Sequence, residues 1–105
     1  MRQHYKVIYT TRARYDLIDI ADYIAVELGA PMTADKMIDT IEQSIGRLSN
    51  MPKRFSLVDN KRLATLGYLR LVVKSYLVFY TIDEEAGLVY IRRILNNRRN
   101  WAKLL

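Results

Sequence analysis

The sequence of 105 residues predicts an α+β domain in the order β-α-α-β-β-β, with a helical hairpin packed on one face of a small antiparallel-type sheet. Three observations give this fold class. Apolar residues alternate near the start, recur every three or four positions from residue 13 to residue 48, and alternate again from residue 67. No linker or internal repeat interrupts the chain, which reads as one domain over residues 1–105.

HYKVIYT (His4 to Thr10) alternates β-branched and aromatic residues, with Tyr5, Val7 and Tyr9 on one face, and reads as the first strand. From Thr11 the period changes. Ala13, Leu17, Ile20, Ile24 and Leu28 form one apolar stripe of a helix, and Asp16, Asp19 and Asp22 are expected to point away from it. Gly29 ends this helix because it accepts the left-handed cap conformation, and Pro31 suits the first turn of the next helix, where its missing N–H costs nothing. Met37, Ile38, Ile41, Ile45 and Leu48 make the second buried stripe, which SNMP (Ser49 to Pro52) closes. A link this short makes the two helices an antiparallel hairpin.

Residues 50–66 show neither period and read as a basic loop carrying Lys53, Arg54, Lys61 and Arg62. In GYLRLVVK (Gly67 to Lys74), Leu69, Leu71 and Val73 share one face, while Tyr68, Arg70, Val72 and Lys74 share the other. SYLVFYTI (Ser75 to Ile82) is apolar on both faces, as in an interior strand, and DEEAG (Asp83 to Gly87) reads as a hairpin loop. In the last strand, LVYIRRIL, strict alternation sets Val89, Ile91, Arg93 and Leu95 against Leu88, Tyr90, Arg92 and Ile94, so one arginine leaves each face. With one sheet face under the helices, the other is expected to stay free and to gather Arg70, Lys74 and the arginines of the tail NNRRNWAKLL.

The formal net charge of +6 is unevenly divided. Residues 16–42 carry seven acids (Asp16, Asp19, Asp22, Glu27, Asp35, Asp39 and Glu42) against Lys36 alone, a net −6 that leaves +12 for the rest. A fold that separates these segments has an acidic face and a basic one, and a basic face attracts polyanions such as nucleic acid. Ordinary solubilising charge is the plainer alternative. The absence of cysteine excludes disulfides, thiolate metal sites and thiol nucleophiles, and His4 alone excludes a multi-histidine metal site, so no cofactor or metal is expected. No apolar run approaches the roughly 20 residues that span a bilayer, and MRQHYKVIYTTRARY lacks the apolar core of a secretion signal. The expectation is a cytoplasmic protein without a membrane partner.

Three stretches taken in order, YKVIYTTRARYDLIDIADYIA, RLSNMPKRF and SYLVFYTIDEEAGLVYIRRILNNRRNW, resemble the RelE/ParE superfamily of toxins from bacterial type II toxin–antitoxin modules, which includes plasmid stabilisation proteins. The resemblance covers nearly the whole chain. It implies a growth inhibitor neutralised by a cognate antitoxin, with a homodimer or a hetero-oligomer with antitoxin as possible assemblies. ParE-like members inhibit DNA gyrase by binding, whereas RelE-like members cut mRNA on the ribosome; a third possibility is a homologue that keeps the fold and binds antitoxin without toxicity.

Cleavage through a 2′-hydroxyl needs a base, an acid and cations around the phosphate. Carried over from the RelE-like pattern, the two lysines fall on Tyr68 and Arg70, the strand arginine on Leu77, the tail arginine on Arg98 and the terminal tyrosine or histidine near Leu104. Only Arg98 is a full match, and an arginine at position 70 is a poor base. If the chain is a nuclease, Arg70, Arg98, Tyr68 and Lys74 are the catalytic candidates, with Tyr68 able to stack on a base. For the binding branch, which the resemblance slightly favours, Arg92, Arg93, Arg99 and Trp101 form the candidate interaction surface, since binding hot spots favour Trp and Arg. The plainer roles are that Trp101 folds back on the core and that Arg92 and Arg93 pair with the helix aspartates.

Overall fold

The structure is a computed structural model that describes residues 4–105, so the first three positions of the expected domain lie outside the described residues. Strands β1 (Lys6–Tyr9), β2 (Leu69–Val73), β3 (Tyr76–Asp83) and β4 (Leu88–Asn96) form one sheet in the order β1-β4-β3-β2. The pairs β2–β3 and β3–β4 are antiparallel hairpins, as their turn residues imply. β1 instead runs parallel to β4, with Lys6 opposite Leu88 and Tyr9 opposite Ile91, so the sheet is mixed. A parallel pair needs a long crossover, and the helices together with β2 and β3 supply it.

Helix α1 (Thr11–Asp22) starts at Thr10, whose hydroxyl accepts the Ala13 N–H at 3.2 Å and donates to the Ile91 carbonyl at 2.7 Å. One side chain therefore caps the helix and pins it to β4. The helix continues as a π-helical turn, Tyr23–Glu27, and closes at Gly29 with φ of 62°. The wider turn shifts the apolar stripe. Ala13, Ile20 and Ile24 are buried, whereas Leu28, expected in the same stripe, is exposed. Helix α2 (Pro31–Gly46) buries Ala34, Ile41 and Ile45, and the 3-10 turn that follows buries Leu48. These side chains pack on Leu71, Val73, Val78, Tyr80, Val89, Ile91 and Ile94 in the main core. Each buried Val, Leu or Ile among them stabilises the fold by roughly 1.5–3 kcal/mol.

The structure corrects four further expectations. Residues 50–66 are not a plain loop: they form a 3-10 turn at Pro52–Arg54 and helix α3 (Lys61–Thr65), capped by Asn60, whose side-chain oxygen accepts the Leu63 N–H at 3.1 Å. Five residues are too few to display a helical period. Lys74 lies in the β2–β3 turn with φ of 55°, outside the strand that was expected to hold it beside Arg70.

The third correction concerns β4, where Phe79 pairs with Arg93 but Tyr80 pairs with Ile91, which leaves Arg92 as the extra residue of a bulge. The bulge reverses the alternation. Val89 and Ile91 share the main core with Ile94, while Leu95 packs on the opposite face. Arg93 stands opposite Phe79 on that second face, and Arg92 reaches Thr81 and Tyr90 there, so the two arginines leave by one face rather than by two. Fourth, that face is not free. Val58, Leu63, Leu77, Phe79 and Leu95 form a second small core on it, covered by Tyr68, Trp101, Leu104 and Leu105, the last turn being helix α4 (Trp101–Leu104).

Buried phenols make this fold sensitive to alkali. Tyr80 donates to the Pro52 carbonyl at 2.6 Å, and burial pushes its phenol well above the ordinary value. Burial, then the charge on Glu42, pushes Tyr9 up to about 12, against a smaller lowering by Arg14. The unfolded chain therefore releases these protons first, so their stabilising contribution is full below the ordinary tyrosine value of 10.0 and declines as pH rises toward the folded values. Urea midpoints should hold steady to about pH 10 and fall above it. Tyr80→Phe should lower the midpoint at neutral pH, because the Pro52 carbonyl loses its donor, and should flatten the alkaline fall. An unchanged alkaline fall in this variant would place the sensitivity elsewhere.

Candidate functional site

The site is organised by a residue that the helical period placed outside the core. Asp16 is only 4% exposed, and its carboxylate accepts from Arg93 Nε at 2.8 Å, Arg93 Nη2 at 3.0 Å and the Ile94 N–H at 2.9 Å. The reason lies in the sheet. β1 stops opposite Ile91, so the rest of β4 has no strand on that side, and the Asp16 carboxylate takes the backbone donor that a strand would have taken.

Arg93, 8% exposed, passes the connection on through Nη1 to the Leu104 carbonyl at 3.0 Å. The tail is held at two further places. Trp101 lies against Phe79 with ring centroids 5.2 Å apart and planes tilted by 36°, and Asn96 Oδ1 accepts the Arg98 N–H at 2.9 Å. Trp101 thus folds back on the second core, and Arg93 is partnered by a helix aspartate. Arg92 is not: its Nε donates to Thr81 Oγ1 at 3.0 Å and its guanidinium lies 4.8 Å over the Tyr90 ring.

Two clefts flank the Asp16–Arg93 pair. The larger, about 490 Å³, lies between α1 and the tail and is lined by Asp19, Tyr23, Tyr76, Asn96, Arg98 and Arg99 with Asp16 at its base. Burial pushes the Tyr76 phenol up, against the opposing effect of its hydrogen bond with Asn96, so it stays neutral at physiological pH. Arg98 and Arg99 are exposed, and among the described residues neither guanidinium has a hydrogen-bonded or ion-paired partner. The smaller cleft is lined by Thr10, Arg12, Tyr68, Arg92, Arg93 and the end of the tail.

The candidate residues are thus divided. Arg98 and Arg99 share the first cleft, Tyr68, Arg92 and Arg93 share the second, and Trp101 stacks on the second core. Arg70, half-buried opposite Phe79, and Lys74, exposed in its turn, line neither. Asp16, Tyr23, Tyr76 and Arg12 were not among the candidates. Helical spacing would have put Tyr23 one turn beyond Asp19, but nothing in the sequence brings Tyr76 to them. Among the described residues no group of three or more acidic, histidine or cysteine side chains converges as a metal site, and no helix is long and apolar enough to cross a membrane.

The sequence model of the family described as ParE toxin of type II toxin-antitoxin system, parDE, matches residues 7–101. The chain belongs to the ParE toxin family. This ParE-family toxin also resembles solved structures. A chain of the chromosomal ParDE toxin-antitoxin system from P. aeruginosa superposes with a TM-score of 0.74 at 18% identity, over 89% of this chain and 96% of that one. A chain of the toxin-antitoxin complex RelBE2 from Mycobacterium tuberculosis superposes with a TM-score of 0.63 at 25% identity, over 91% and 94%. A comparison with curated protein sequences gave no significant match. The α+β architecture expected from the sequence is the one these toxin structures share.

Removing one partner of a buried ion pair strands the other charge, which costs about 3–5 kcal/mol. Asp16→Ala in the ParE-family chain should therefore lower urea stability by that amount and expose the tail, read as increased Trp101 fluorescence quenching by iodide. Asp16→Leu combined with Arg93→Met should recover most of the stability. A single-variant loss below about 1 kcal/mol would mean that solvent already screens the pair.

Proposed function

We propose that this toxin arrests growth by binding DNA gyrase rather than by cutting mRNA, with the tail arginines Arg98 and Arg99 as its principal contacts. The observation that carries this reading is the second apolar core. Trp101, Leu104 and Leu105 lie over Phe79 and Leu95 on the sheet face that a nuclease of the RelE pattern would offer to RNA. The catalytic candidates are also dispersed: Arg98 and Tyr68 line separate clefts, and Arg70 and Lys74 line neither. Two exposed guanidiniums without internal partners suit a protein surface rich in carboxylates. An acidic segment of a cognate antitoxin would neutralise the toxin by covering the same arginines. Matching the family model supports the gyrase branch.

The likeness to the RelBE2 complex gives the nuclease reading a specific footing, since Arg98 matches the tail arginine of the RelE-like pattern. Purified toxin should block gyrase supercoiling of relaxed plasmid and leave a defined mRNA intact in a translating bacterial extract. Arg98→Ala with Arg99→Ala should raise the inhibitory concentration about 100-fold, the loss of two hydrogen-bonded charges at about 1.5 kcal/mol each. New 5′ ends that appear in the message only with ribosomes would overturn the proposal in favour of cleavage. Normal growth and normal gyrase activity at high expression would leave an antitoxin-binding homologue without toxicity.

A further inference from the structure

Helix α1 and its π-helical extension bury one side and leave large apolar side chains on the other. Tyr15 is 55% exposed, Ile18 53%, Tyr23 54% and Val26 73%. They stand three, five and three residues apart, so they share a broad outer ridge about 16 Å long at 1.5 Å per residue. Asp19 and Asp22 lie along the same ridge, and among the described residues neither carboxylate has an ion-paired or hydrogen-bonded partner. Across the adjoining cleft stand Arg98 and Arg99, which also have none. An apolar strip that carries unpaired acids and faces unpaired arginines across a cleft is not a solvated helix face of ordinary kind.

We propose that this surface is self-complementary and docks a second copy of the chain about a two-fold axis. The ridges of the two α1 helices lie against each other, and Asp19 and Asp22 of one copy face Arg98 and Arg99 of its partner. A two-fold operator suits the surface because it brings each patch onto itself reversed, so that every acid–arginine contact occurs twice and the assembly closes at two copies. A partner of one charge sign would satisfy only half of the patch, and because the proposed gyrase contact uses the same arginines, the dimer is a resting form that gyrase or antitoxin must open. The chain itself carries the required combination of acids, apolar ridge and arginines.

The test uses two charge-reversed variants of the whole chain, Asp19→Arg with Asp22→Arg, and Arg98→Glu with Arg99→Glu. Sedimentation equilibrium of the unaltered chain should show a dimer that weakens as salt is raised. Each variant alone should set like charges opposite each other and dimerise about 100-fold more weakly, with circular dichroism confirming its fold. An equimolar mixture of the two should restore dimerisation, since in a mixed pair one set of contacts is native and the other is reversed on both sides. A misfolded variant could not give that rescue. A monomeric unaltered chain at all concentrations would overturn the proposal and leave the ridge to a different protein. A dimer indifferent to both reversals, or a mixture that stays monomeric, would overturn it equally.

Discussion

The Asp16–Arg93 ion pair is the contact on which the layers of this fold depend. It joins α1 to β4 across a sequence separation of 77 residues, supplies the acceptor for the Ile94 N–H and steadies the tail through the Leu104 carbonyl. Both side chains are almost wholly out of water, so the pair gains little from Coulomb attraction after desolvation is counted. Its importance is geometric. A fork of two parallel hydrogen bonds fixes distance and orientation together, and the backbone donor held by the same carboxylate fixes the register of helix against strand.

The bulge at Arg92 makes that contact possible. Without the extra residue, Arg93 would follow Ile91 into the main core, where it would meet Val78 and Tyr80 rather than a carboxylate. With it, one strand contributes Val89, Ile91 and Ile94 to the core under the helices and Leu95 to the core under the tail. β3 supplies both clusters by plain alternation, with Val78 and Tyr80 on one face and Leu77 and Phe79 on the other, and the bulge fits β4 to both. The sheet also gains local twist there, as bulges generally impose, next to the point at which β1 gives way to α1.

The elements legible in the sequence were those with enough length to show a period. Ile20, Ile24, Ile41, Ile45 and Leu48 are buried where their spacing put them, and Gly29 closes α1 in the left-handed conformation assigned to it. What escaped was set by tertiary context. An aspartate near an apolar stripe looks solvated until an arginine far along the chain is brought to it, and consecutive arginines in a strand look like ordinary alternation because nothing local marks one of them as inserted. Leu28 was misplaced because a π-turn cannot be told from an α-turn by composition, and α3 was missed because five residues behind an Asn60 cap are too few to show a period. For the candidate site, residue type was legible and grouping was not: Arg98 and Arg99 adjoin in sequence and in space, but the sorting of Tyr68 from Arg98 depends on where the tail turns back.

That turn of the tail has an entropic consequence. α4 is a four-residue helix, far below the length at which a helix holds itself together in water, so its order is borrowed from Phe79, from Arg93 and from the contacts of Leu104 and Leu105. The segment between Asn96 and Trp101 is consequently fastened at both ends, and the two arginines within it are presented on a short bridge rather than on a loose terminus. The freedom of that backbone is lost during folding and need not be lost again on association. A partner meeting Arg98 and Arg99 therefore encounters charges already held in place, and more of the contact energy remains as affinity than a flexible basic tail of the same composition would allow.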